Sequence, residues 1–534
     1  MAGGGYTFSQ VPMADIPRSS FNRSHGHKTT FDAGYLVPIF VDEALPGDTF
    51  NVHSSIFARL ATPIAPIMDN LHMEMFYFAV PHRLVWDNWQ KFCGEQENPG
   101  DSTDFTVPVI DAGATGFPLL SIFDYFGIPC SVPNLQVNAL FARAYNLIYN
   151  EWFRDENLCT RAYMNKGDTT DAPSNFPLRK RGKRHDYFTA CLPWPQKGPG
   201  VELPIGSTAP VVPSGAGSRP YFLSELDAKI APLGISGGGV TPVSFDNAGG
   251  AAGAQQLLWN TSGLVADLAG ATAATINKLR EAFQIQKLLE RDARGGTRYI
   301  EILKSHFGVT SPDYRLQRPE FLGGGHIPVT INPIAQTSAT GTYAATPQGN
   351  LSAYGLAAGR DVGFTKSFVE HSVIIGLVCV RADLSYQQGL PRMFSRSTRY
   401  DYYWPAFAHL GEQAVLNKEI YAQAPSVIDP GTGQPANESV FGYQERWAEY
   451  RYFPSKITGK FRSGIAGGSL DYWHLAQEFT ALPTLSQSFI EENPPVNRII
   501  AVQTEPQFIF DSHFKMHTTR PMPTYSVPGL IDHF

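Results

Sequence analysis

Between Leu71 and Val80 the apolar residues do not confine themselves to one parity. Met73, Met75 and Tyr77 interleave with Phe76 and Phe78, so an extended segment carries bulk on both faces. A strand of that kind lies inside a sandwich or beneath other elements. Ser372 to Val380 is a β-branched apolar run broken only by Gly376, and it predicts a second core strand. Gln507 to Thr518 alternates more cleanly. Phe508, Phe510, Phe514 and Met516 take one side, and Gln507, Asp511, His513, Lys515 and His517 take the other. That pattern predicts a half-exposed antiparallel strand. Helical spacing is rarer. Leu140, Ala144 and Leu147 repeat helically within Leu135 to Phe153, and Ile276, Leu279 and Phe283 share a face in a helix over Thr275 to Arg294. There Glu290 is placed to pair with Arg294, and Gly295 to supply a left-handed stop. Strands, a helical interval, a long irregular stretch and strands again predict a mainly β, Greek-key sandwich rather than βαβ units.

Composition sharpens this in two places. The 534 residues include 49 Gly and 41 Pro, which disfavours a helical bundle, while 43% hydrophobic residues exclude wholesale disorder. The excess is uneven. From Gly198 to Thr275 there are 14 Gly and 7 Pro but only 7 charged side chains. Tyr221, Phe222, Leu257 and Trp259 give that stretch apolar anchors, so it reads as an insertion packed on itself or on copies of itself. The expected organisation is an N-terminal arm over 1–30, a first β part with a helical excursion over 31–197, the insertion over 198–275, and a second β part over 276–534. Ile334 to Asp361 and Ala422 to Ser439 resemble smaller loop excursions. Charged residues are only 17% of the chain, against about 25% in ordinary soluble domains, which points to a surface covered by partners. The net charge of −6 gives no global attraction to nucleic acid. No apolar run is long enough to span a bilayer, and Met1 to Lys28 has no signal-peptide pattern. Cys93, Cys130, Cys159, Cys191 and Cys379 show no pairing motif and are expected as free thiols.

Candidate chemistry is sparse. Gly234-Ile235-Ser236-Gly237-Gly238 matches the nucleophile-elbow pattern, but Gly239 to Pro242 cannot begin the helix that the elbow requires, so chance explains it better. His25 and His27 share a strand face without further ligands, and His513 and His517 lie too far apart for one ion. Asp42, Glu43 and Asp48 are too few for a calcium site. No catalytic, metal or cofactor residues are therefore expected. Two basic patches remain: Arg179, Lys180, Arg181, Lys183 and Arg184, and the arm cations Arg18, Arg23 and Lys28 around Phe21. Cations interleaved with aromatics suit single-stranded nucleic acid, because phosphates take the charge and bases stack. A rival class is a secreted β-sandwich carbohydrate-binding protein or glycosidase, with Tyr402, Tyr403 and Trp404 as a sugar platform. It calls for a secretion signal and a poised carboxylate pair, and neither can be singled out.

Four longer blocks carry more information. They are Phe21-Asn22-Arg23-Ser24-His25-Gly26-His27-Lys28-Thr29-Thr30-Phe31, Tyr400 to Ala406, Gly442 to Tyr452, and Asn493 to Arg498 continuing through Phe508 to Phe514 and on to Pro528-Gly529-Leu530-Ile531-Asp532. Together they closely resemble the major capsid proteins of gokushoviruses, single-stranded DNA phages of the Microviridae. The resemblance implies an eight-stranded antiparallel viral jelly-roll β-sandwich with long loop insertions and a few helices. It implies 60 copies in a T=1 icosahedral shell around a circular single-stranded DNA genome, with a small basic DNA-binding phage protein as a further partner. The virion would assemble in the bacterial cytoplasm without membrane insertion, and 198–275 would form a threefold protrusion meeting a cell-surface receptor. Phe21, Asn22, His25, His27 and Phe31 are then expected in an arm along a neighbouring subunit or the inner wall.

Overall fold

The computed structural model describes residues 17–201, 211–213, 221–224, 230–232, 257–259, 264–266, 276–338 and 348–525. Two compact units emerge, residues 196–291 and the remainder.

The larger unit is built on one antiparallel sheet. Its strands are β1 (Ser19–Asn22), β2 (His25–Phe31), β3 (Val37–Ala44), β4 (Thr49–Leu60), β5 (Leu71–Pro81), β6 (Glu320–Ala335), β7 (Leu351–Ser367), β8 (Ser372–Ala382) and β9 (Phe508–Arg520). The order is β1-β9-β4-β7-β6-β5-β8-β3, with β2 beside β1 on the same edge of β9. β1 and β2 share one lane, so nine strands fill the eight lanes of a jelly roll. The sheet turns on itself along β6, whose Glu320–Val329 pairs with β5 and whose Thr330–Ala335 pairs with β7. The result is two layers with a common core.

Each layer explains its own sequence pattern. β4 alternates strictly, with Phe50, Val52, Ile56, Ala58 and Leu60 buried and the residues between them mostly exposed. β9 does the same, burying Phe508, Phe510, Phe514 and Met516. These inward residues meet Met73, Met75 and Tyr77 from the other layer. β8 is buried at every position and β5 at nearly every one, because the outer face of their layer is covered as well. The cover is an excursion containing helix α1 (Leu140–Ile148), with Trp86, Leu140, Ala144 and Ile148 packed on Phe78, Val80, Ile375 and Leu377. α1 is shorter than the predicted Leu135 to Phe153. Gln136–Asn138 pairs with Val109–Asp111 instead, and a π-turn over Tyr149–Phe153 ends the helix.

The excursion is also tied by charge. Arg143 and Asp171 are fully buried, with Nε to Oδ2 at 2.7 Å. Arg143 further donates to the carbonyls of Val85, Gly167 and Thr169, and Asp171 accepts from Tyr163 and Asn165.

Three expectations need correction. Ile334 to Asp361 is not a loop excursion throughout, since Leu351 onward belongs to core strand β7. Its Gly355, Gly359 and Gly363 hide the strand pattern, but they are needed there. A Cβ at these positions would strike Leu60, Ile327 and the Val52 carbonyl respectively. Nor is the N-terminal segment wholly a free arm, because Ser19 to Phe31 pairs along β9 through residues 508–520. Finally, helix α2 (Ile276–Arg294) sends Arg294 to Glu412, with Nε to Oε1 at 2.9 Å, while Glu290 accepts from Gln286. The left-handed residue after it is Gly296, one past the expected Gly295.

In the smaller unit, Tyr221–Ser224 pairs with Ile230–Pro232 on one side and Leu257–Trp259 on the other, placing Phe222 opposite Trp259. Val211–Pro213 pairs with Leu264–Ala266. The rest of 202–275, including Gly234 to Gly238, lies outside the described residues.

Candidate assembly and nucleic-acid surfaces

Residues 179–184 form an extended strap. Its backbone bonds to Gly34 and Leu36 along one side and to Ile490 and Glu492 along the other. Each cation of the strap has a partner in its own chain. Arg179 lies over Tyr149 and Lys180 over Tyr35, with Lys180 Nζ also 2.8 Å from Asn493 Oδ1. Arg181 sits 4.7 Å above Phe76 and pairs with Glu74. Lys183 sits 4.5 Å above Phe489 and donates to Gln477. Arg184 bridges Glu74 and Asp383.

Glu74 thus receives three guanidiniums, the third being Arg381 at 2.7 Å. Burial alone would raise its carboxyl, but Arg181 and Arg381 overrule burial and hold it at about 2, below the ordinary 4.5. A depressed acid contributes stability above its unfolded pKa and loses it as pH falls through its folded one. Stability should therefore fall between pH 4.5 and about 2. In Glu74→Gln, urea midpoints should start lower at neutral pH and show a flatter acid limb. An unchanged limb would mean that Glu74 does not carry the effect.

The strap borders a cavity of about 1140 Å³. Its other walls come from residues 152–157, from the segment following α2, and from helix α3 (Tyr299–Phe307). Eight Arg and Lys side chains line it against four Asp and Glu, a balance of +4 in a chain whose total is −6. Arg154, Arg294, Arg298, Lys304 and Arg381 are the lining cations that the sequence patches missed. They are scattered singly along the chain, so no local run could have exposed them.

The N-terminal residues occupy the sheet edge. Phe31 is fully buried, its ring centroid 5.7 Å from that of Phe508. Phe21 lies opposite Thr518, and Asn22 accepts from Ser24 at 3.1 Å. His25 stacks on Phe40 and lies tilted beside Phe514, and His27 is half-buried, which lowers its pKa. Arg23 pairs with Asp42 at 2.6 Å, Lys28 with Asp511 at 3.2 Å, and Arg18 donates to the Gly47 carbonyl. Asp48 is buried against Arg520. Among the described residues no group of three metal-ligating side chains comes together. The five cysteines are free thiols.

A different surface is exposed. Phe394 is 69% exposed, Tyr400 65% and Phe453 75%, joined by Tyr402, Tyr403, Trp404 and Tyr450. Tyr403 lies 6.4 Å from Tyr450, and Arg396 covers the rings of both Tyr402 and Tyr450. Exposed aromatics in such number mark contact surfaces. The nearby carboxylates are already engaged. Asp401 accepts from the Ser397 and Thr398 amides, and Glu449 is held by Arg396 and Gln413. This arrangement lacks a poised acid–base pair.

The family described as "Capsid protein (F protein)" matches residues 9–530. The chain belongs to that capsid protein family. Three curated relatives agree along nearly their whole length. Capsid protein VP1 of Bdellovibrio phage phiMH2K is 51% identical over 99% of this chain and 98% of the relative. The VP1 of Chlamydia phage 1 is 44% identical over 98% and 97%, and that of Spiroplasma virus 4 is 36% identical over 98% and 97%. The chain is thus a major capsid protein of the gokushovirus type, a structural component of the virion and not an enzyme. No described helix of the capsid protein is long and apolar enough to cross a membrane.

Proposed function

We propose that 60 copies of this capsid protein close into a T=1 icosahedral shell around a circular single-stranded DNA genome. The carrying observation is the aromatic surface around Phe394, Tyr400 and Phe453, left uncovered on a capsid sandwich whose own core is complete. Point-group shells close through repeated contacts between unlike patches, and such patches are built on loops while the sandwich stays rigid. The separate compactness of 196–291, together with its Gly and Pro content, supports an outward protrusion over 198–275 that meets a bacterial surface receptor. The charge of −6 supports a division of labour in which a small basic phage protein neutralises most of the DNA.

Negative-stain electron microscopy of the purified chain should show closed particles of one size. Replacing Phe394, Tyr400 and Phe453 by Ser should leave the far-ultraviolet spectrum and melting unchanged while reducing particle yield by at least about tenfold, as expected when buried aromatic anchors are lost from an interface. Undiminished particles would remove this surface from the assembly scheme.

A further inference from the structure

The cavity beside the strap is not explained by folding alone. Three guanidiniums, of Arg181, Arg184 and Arg381, converge on the single carboxylate of Glu74. Arg298, also in the lining, is shared between Glu156 and Glu301. Lys304, exposed on α3, and Arg154 add charge to the same space. A concave surface with a net charge and low-dielectric walls focuses its field and concentrates ions of the other sign. Guanidiniums grouped in a cleft match the oxygens of a phosphate better than those of any uncharged ligand. At about 1140 Å³ the space exceeds a single ion and accommodates a short run of linked phosphates. Trp152, Phe153 and Tyr452 add aromatic surface to its lining.

We propose that this cavity is a phosphate-binding site. Phosphate there has two sources, the backbone of a single-stranded DNA and free inorganic phosphate. The first rests on the reading that the shell encloses DNA, and the second does not.

The test uses the full-length chain before assembly, with inorganic phosphate and a short fluorescent oligothymidylate as separate probes. Both should bind, and phosphate should compete with the oligonucleotide. The double variant Arg184→Gln, Lys304→Gln removes two cations without stranding an acid, since Glu74 keeps Arg181 and Arg381, and the solvent-accessible Asp383 keeps the Asn70 amide. Its oligonucleotide affinity should fall at least about tenfold, and the slope of log affinity against log salt should drop by about 0.7 for each lost single-strand phosphate contact. Lys304→Gln alone, at an exposed position, should show a smaller fall with unchanged melting. Phosphate binding without oligonucleotide binding would assign the site to the free anion. Failure of both probes to bind the unaltered chain would overturn the proposal, and so would full affinity in the double variant.

Particle formation is scored separately. Shells from the unaltered chain without binding would defeat this site and leave the assembly reading intact. Binding without shells would do the reverse. Loss of shells in the double variant with undiminished phosphate binding would make the cavity a contact between copies, and that too would overturn the proposal.

Discussion

Deleting the chain through Phe31 is expected to unfold the sandwich, not merely to prevent shells from closing. The deleted residues include a whole lane of the sheet, in which β1 and β2 pair with β9 from Phe508 to Arg520. They also include Phe31, whose buried ring packs on Phe508 and Phe510. Losing a buried phenylalanine side chain alone costs about 3–5 kcal/mol, against a total stability of about 5–15 kcal/mol for ordinary domains. The ladder bonds and the shielding of the β9 edge are lost in addition, and an unprotected edge invites aggregation. The expected outcome is a chain recovered as aggregate, or one lacking a cooperative melting transition. Phe31→Ala supplies the graded version, with a urea midpoint lowered but cooperativity kept. A truncated chain that melts where the full chain does would show that the first lane contributes nothing to the core.

The second large effect lies in the excursion that covers β5 and β8. Asp171→Ala should cost about 3–5 kcal/mol, because removing one member of a buried pair leaves the other charge uncompensated in a medium of low dielectric. Arg143 retains its three carbonyl acceptors, but these cannot neutralise it. Tyr163 and Asn165 lose their acceptor in the same step. Urea unfolding of the unassembled chain measures the loss. Asp171→Asn, which keeps the shape and part of the bonding, should lie between the two. A midpoint shift worth less than about 1 kcal/mol, the scale of an exposed ion pair, would mean that water reaches this pair.

Alternation made β9 readable in advance, and continuous apolar runs made β5 and β8 readable, because burial on one or both faces writes itself directly into residue type. The same signal was present in β4, where Phe50, Val52, Ile56, Ala58 and Leu60 recur at every second or fourth position. β6 and β7 were not readable. Gly323 to Gly325, Gly355, Gly359 and Gly363 sit where strands or side chains approach too closely for a Cβ, so the property that places them in the core makes them resemble a loop. The strap cations were found as a run, yet their partners are Glu74, Asp383 and Asn493, hundreds of residues from some of them in sequence. The cavity that the strap borders draws its lining from eight separate stretches of chain, and no local pattern announces such a set. The aromatic surface was visible as residues but not as a surface, since exposure is settled only by the fold.

Because β9 completes the lane against β1 and β2, the sandwich has a timetable. Lys28 and Asp511 meet across 483 residues of chain. At about 5–20 residues per second, the ribosome takes about 25–100 s between them. Throughout that interval β2 and β4 wait without the strand that joins them. The sandwich of a subunit therefore closes only once β9 has left the ribosome and can pair with β4.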